Sequence, residues 1–209
     1  MTAERSEAER AESDRRRIGQ LVAFALAAVA VVVVWLVAVA GGGSGTPKPT
    51  GGSPDVYPPA TVPPAGERSL TEAVARSGCT LRSFPSYGNG TTTKRLTYRT
   101  NPATSGPHPE AAADGIYDDP PSTGSLVGSL ANGRIVIQFV PNAADRVRGQ
   151  LKALVNEDPH HVVLAANQTR MPYVVAATAW RHSLGCHNVN AATFDALRDF
   201  RTTYRDRTS

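Results

Sequence analysis

The sequence predicts an α+β fold: a mixed sheet with helices packed on it, preceded by one transmembrane helix and a disordered linker. Three observations predict it. Residues 18–40 hold 21 apolar residues out of 23 and no charged one. Residues 41–67 are about half proline and glycine, seven of each. Residues 68–205 then carry strand and helix patterns in the order strand, helix, strand, strand, helix, which packs helices on a sheet. That last part holds 55 apolar residues out of 138, normal for a globular domain with a single core. The overall figures, a net charge of +4 and 41% hydrophobic residues, average over these unlike parts. Two cysteines exclude a disulfide-dense mini-scaffold and the multi-cysteine zinc modules.

The apolar run reads IGQLVAFALAAVAVVVVWLVAVA. As a helix it rises about 35 Å, enough to cross a hydrocarbon core of about 30 Å. In lipid the backbone has no other hydrogen-bond partner, so its valines do not prevent helix formation. The run exceeds the apolar core of a cleaved signal peptide, although Ala38-Val39-Ala40 has the small-x-small pattern of a cleavage site. Arg15, Arg16 and Arg17 flank its near side, and glycine and polar residues follow its far side. Positive charge stays inside, so residues 1–17 form a cytoplasmic tail and the C-terminal domain lies outside. The expected location is the cell membrane, with the lipid bilayer contacted through residues 18–40. The 41–67 linker buries too little apolar area to offset its chain entropy and is expected to space the domain from the membrane.

The extracytoplasmic domain, 68–205, opens with SLTEAVARSG. Ser69 and Glu72 form a capping-box pattern, and Gly78 can end the helix. Tyr87-Gly88-Asn89-Gly90 is turn chemistry, and TTTKRLTY after it reads as a strand. Residues 99–124, rich in proline, glycine, serine and aspartate, read as an ordered loop region. RIVIQFV at 134–140 is the clearest strand, central because it is apolar on both faces. Pro141 and Asn142 stop it and begin a helix with Val147, Leu151, Leu154 and Val155 as its stripe. His161–Ala165 and Tyr173–Trp180 are further strands. Asn190 caps a last helix burying Phe194, Leu197, Phe200 and Tyr204. A thioredoxin-like half has this order, but no Cys-x-x-Cys supports redox chemistry of that type.

Outside the cytoplasm, Cys79 and Cys186 suit a disulfide. A bridge closing so long a loop contributes roughly 4–5 kcal/mol in the chain-entropy model. Two buried thiols, or a metal site at Cys186-His187, are the alternatives.

Three segments carry a resemblance: YRTNPATSGPH at 98–108, GSLANGRIVI at 128–137, and Thr178-Ala179-Trp180 ahead of Cys186. In order and spacing they resemble the domain of unknown function 3105 family, over roughly residues 79–204. The resemblance implies an N-terminal membrane anchor and an exported domain. Its first motif, typically PPTSGPH, survives here with His108. Its second, typically HSLEHGR, is degenerate: Gly128 and Asn132 replace two histidines, and Ala131 an acidic residue. A histidine–carboxylate cluster suits a metal or acid–base site, and these three residues cannot supply one.

Candidate site residues follow from chemistry. Ser105, Gly106, Pro107 and His108 form a proline-stiffened loop suited to binding. His108, His182 and His187 could together hold copper or zinc if the chain folds back. Ser105 or Ser129 with His108 and Asp114 could make a hydrolytic triad, but no Gly-x-Ser-x-Gly elbow is present. His160-His161, after Asp158-Pro159, reads as a surface turn. The domain carries 15 basic and 10 acidic residues. Arg198, Arg201 and Arg205 line one side of the last helix, as a solvated face or a contact for an anionic envelope surface. No nucleic-acid module or phosphate loop appears, so no nucleic-acid partner is expected. The expected function is a membrane-anchored binding or envelope-associated domain without enzymatic activity. The alternatives are an exported metal-binding protein and a hydrolase.

Overall fold

A computed structural model describes residues 55–66, 69–94 and 96–209. The predicted tail 1–17, the membrane helix 18–40 and the first half of the linker lie outside the described residues. Among the described residues, no helix is long and apolar enough to cross a membrane.

The described chain is α+β. Helix α1 spans Leu70–Ser77, followed by strand β1 (Thr80–Ser83). After a long loop come β2 (Gly115–Tyr117), α2 (Thr123–Ala131), β3 (Ile135–Phe139), α3 (Asp145–Glu157) and β4 (Val162–Ala166). Two consecutive strands, β5 (Val175–Ala179) and β6 (His182–Cys186), lead into α4 (Ala191–Tyr204). The six strands form one mixed sheet in the order β1-β6-β5-β3-β4-β2. Strand β4 runs parallel to both β3 and β2, as a helical crossover between β3 and β4 requires. Strand β5 runs antiparallel to β3, β6 to β5, and β1 to β6.

Helix starts follow the capping residues. Ser69 Oγ accepts the Glu72 N–H, and Gly78 closes α1 in the left-handed conformation. Asn190 and Thr193 form a reciprocal capping box at α4. Helix α3 begins at Asp145, three residues later than Asn142, with Ala144 at its cap and no side-chain hydrogen bond there. The predicted TTTKRLTY strand is loop in its described residues; Thr91 makes an isolated bridge to His108. Strands β1, β2 and β6, and the whole of α2, are not legible from hydrophobic period. Strand β1 is short and mostly exposed, β2 is three half-buried residues, and α2 is built from serine, glycine and threonine as much as from leucine.

Strand β3 is buried at every residue, the central position expected of it. Its alternation feeds two cores. Ile135, Ile137 and Phe139 face a large cluster with Leu151, Leu154, Phe194, Leu197 and Phe200, from α3 and α4. Val136 faces the opposite cluster with Leu126, Val127 and Leu130 of α2, Val163 and Trp180. Helix α2 thus covers one face of the sheet, and α1, α3 and α4 the other.

Residues 55–66, expected to be free linker, are strapped onto this second layer. Tyr57 is 2% exposed, its ring edge-on to Phe139 at 5.6 Å, and its hydroxyl donates to Tyr117 O at 3.0 Å. Gln150 Nε2 donates to Thr61 O, Arg198 Nη2 to Pro63 O, and Gly66 N to Asp195 Oδ1. Gly149 makes room for the strap: a Cβ there would collide with Pro58 O. The strap buries one large aromatic ring, which composition averaged over a proline-rich stretch does not reveal.

Candidate functional site

The two cysteines are joined. The Cys79–Cys186 disulfide, with S–S 2.04 Å, spans 107 positions and ties the α1–β1 junction to the end of β6. Both sulfurs are buried, and Cys186 has no thiolate to offer a metal.

The Ser105–His108 loop lies against α2 and the end of β5, and its side chains hold the loop together. Ser105 is 1% exposed, and its Oγ accepts the Tyr87 N–H at 3.1 Å. Thr104, also buried, pairs with the Thr100 hydroxyl at 3.0 Å. Gly106 sits at φ 142° against the Tyr98 ring, and Tyr98 Oη donates to Pro107 O at 2.9 Å. Burial pushes the Tyr98 phenol up from its ordinary pKa. His108 Nδ1 donates to Pro109 O at 2.9 Å, and its ring stands edge-on to Trp180 at 6.4 Å. Its backbone exchanges hydrogen bonds with Gly90 O and Thr92 N.

Outside this loop runs an open groove of about 520 Å³, lined by Lys94, Leu96, Tyr98, Thr123, Gln168 and Thr169 among others. Leu96 is the one large apolar side chain that stands exposed among the described residues. Hydroxyls and amides dominate the groove wall, and no described lining residue is a carboxylate.

The three histidines proposed as metal ligands are not brought together. His182 begins β6, and His187 follows its last residue. Five strand steps separate them by about 16 Å, too far for one ion. His182 Nδ1 lies 2.9 Å from Ser83 Oγ, and its ring stacks on Tyr204 at 4.2 Å. Burial, then the Arg181 and Arg207 charges, push its pKa below the ordinary value. His187 packs on Tyr173 at 4.9 Å. The hydrolytic constellation is not assembled either. Ser129 is fully buried, its Oγ 3.0 Å from both Ala112 O and Ser125 O. Asp114 pairs with Arg134 instead.

Position 128, where the resemblance implies histidine, has no space for a side chain. A Cβ on Gly128 would stand 2.8 Å from Pro109 O and 3.1 Å from Ala111 Cα. The 109–111 backbone fills that space. Ala131 is buried and Asn132 exposed at the end of α2.

The arginines of α4 are engaged with its neighbours. Arg198 grips Glu157 through two bonds of 2.7 and 2.8 Å. Arg201 Nη1 reaches Leu154 O and Asp158 O, satisfying carbonyls at the end of α3. Arg205 binds Asp158 and His160 O. These contacts leave them poorly placed as a free cationic stripe.

One group is assembled only in the folded chain. Asp114, His160 and His161 bring one potential ligand atom each within 4.8 Å of one another, the one such trio among the described residues. The histidine doublet is visible in sequence as a turn, but its carboxylate comes from another strand's approach.

No curated protein and no solved structure matches the chain. Residues 90–209, more than half of the 209, match the family model described as a protein of unknown function, DUF3105. That match covers the His108 loop, the groove, α2, and every strand but β1. The chain therefore belongs to the DUF3105 family.

Proposed function

We propose that this protein is a single-pass membrane protein whose domain lies outside the cytoplasm and binds a hydroxyl-rich envelope polysaccharide in the groove over Tyr98. The Cys79–Cys186 bridge carries the compartment, because such bonds persist in oxidising surroundings. The uncharged 18–40 run, with Arg15, Arg16 and Arg17 before it, supports the anchor and its orientation. The groove supports the binding role. Threonine hydroxyls and the Gln168 amide both donate and accept, the capacity a sugar chain demands. Tyr98 and Leu96 supply an apolar surface, and Lys94 favours a weak anion over a cation. The engagement of Ser105 and Ser129 by backbone groups favours binding over hydrolysis.

Reporter fusions after residue 45 test the orientation: an extracytoplasmic signal is expected, and a cytoplasmic one overturns it. Cosedimentation of the full chain, in detergent micelles, with insoluble wall polysaccharide tests the groove. Thr123→Trp should fill it and weaken retention about tenfold, equivalent to about 1.4 kcal/mol. Retention equal in wild type and variant would sink the groove as the binding site.

A further inference from the structure

The parallel pairing of β2 with β4 sets Gly115 opposite Val163, so the residues preceding each strand meet at one end of the sheet. Asp114 precedes β2, and His160-His161 precedes β4. There the Asp114 carboxylate accepts the His161 backbone N–H at 3.0 Å. Side chains of neighbouring residues in extended chain point to opposite sides. Here His161 takes φ 51°, and the two imidazoles stack with centroids 4.0 Å apart and planes 20° from parallel. This turn, rather than sequence adjacency alone, brings both rings to the same side of the chain.

The geometry points to a binding site for one divalent transition-metal ion, zinc or copper, on Asp114, His160 and His161. Two imidazoles and a carboxylate suit these borderline ions and not calcium, which takes oxygen ligands. The three ligand atoms already lie within 4.8 Å of one another. Ligands of a tetrahedral zinc stand about 3.4 Å apart, and the in-plane lone pairs of the stacked rings run nearly parallel, so binding needs the two imidazoles to rotate out of their stack until both point at the ion. Asp206 Oδ1 lies 2.6 Å from His161 Nδ1. A carboxylate there holds the Nδ1–H tautomer and leaves Nε2 to the metal, the usual outer support of a ligating histidine. Asp206 is itself fixed, its N–H donating to Gly133 O at 2.8 Å. Arg205 Nη1 anchors His160 O at 3.1 Å. Arg134 occupies one acceptor position of Asp114 and the His161 N–H another. A carboxylate has about four such positions, so a metal can still be accepted. The Arg134 charge opposes the ion, and Asp114 with Asp206 offsets it. The fourth coordination position falls to water.

Titration calorimetry on the full chain, in micelles and without an affinity tag, tests the site with zinc chloride, and with calcium chloride as control. One zinc per chain and no calcium binding are expected. His160→Ala and His161→Ala should each weaken zinc at least about tenfold, and Asp206→Asn about 10- to 100-fold through His161. His187→Gln should leave affinity unchanged. Copper(II) paramagnetic resonance on the unmutated chain should show imidazole nitrogen coupling, a readout independent of any variant's folding. Absent zinc binding, unchanged affinity in a His160→Ala, His161→Ala double variant, loss in His187→Gln, or a copper spectrum without nitrogen coupling would each overturn the assignment.

Discussion

His182 shows how a residue's neighbours convert position into pH dependence. Its ring lies between Ser83 and Tyr204, and burial with the Arg181 and Arg207 charges disfavours its protonated form. Its folded pKa lies below the unfolded value of about 6.5, so the unfolded chain binds that proton more readily. The stability it contributes is present above about pH 6.5 and lost as pH falls through the lowered folded pKa. Asp114 and Asp158 act in a separate window. Burial alone would raise both carboxyls, but the hydrogen bonds and charges of Arg134, Arg205 and Arg201 outweigh it and hold them below 3.8. Their contribution disappears in stronger acid. Urea unfolding at about pH 7.5 and about pH 5 should therefore show a loss in wild type that is smaller in His182→Gln. An equal loss in both proteins would remove His182 as its source. Gly128 abuts the 109–111 backbone. Replacing it with histidine drives a side chain into the Pro109–Ala111 backbone, so Gly128→His should lower the unfolding midpoint by about 1–3 kcal/mol in stability. An unchanged midpoint would show that the 109–111 loop yields freely.

At the scale of elements, the strap over 55–66 and helix α3 are one unit. Glycine inside a helix ordinarily costs about 0.5–1 kcal/mol relative to alanine. Position 149 should reverse that sign, because a Cβ there meets Pro58 O and Ala60. Gly149→Ala is expected to lower the unfolding midpoint and to speed proteolysis between residues 55 and 66. A stabilised variant with an unchanged cleavage rate would show that the strap does not depend on that contact. The elements divide by how much of their signal is local. Helices α1 and α4 carry caps and stripes in their own residues, and β3 carries a continuous apolar run, so all three are readable. Strand β6 reads HSLGC and has no such pattern. It is a strand because β5 and β1 flank it, and Gly185 lets the Tyr173 ring cover it. Helix α2 is likewise held by the Trp180 and Val163 face it covers rather than by its own weakly amphipathic sequence.

Across the molecule, the bridge between Cys79 and Cys186 joins the end of α1 to the end of β6. Closing a loop of 107 positions removes entropy chiefly from the unfolded chain. Cys79→Ala with Cys186→Ala should therefore cost about 2–5 kcal/mol in chemical unfolding. A loss near zero would mean that the β1–β6 pairing and the core constrain those ends unaided. The sequence alone determined the central strand, the capped helices α1 and α4, and the availability of two cysteines for a bridge. Each rests on composition or on period within one segment. Tertiary structure decided which distant groups meet. It separated His182 from His187 along one extended strand, engaged Ser105 and Ser129 with backbone, and filled the space at Gly128. It also set Asp114 beside His160 and His161 through parallel pairing of β2 with β4. Local period fixes which face a residue occupies, whereas convergence of side chains depends on strand register and crossover, which arise only when the sheet assembles.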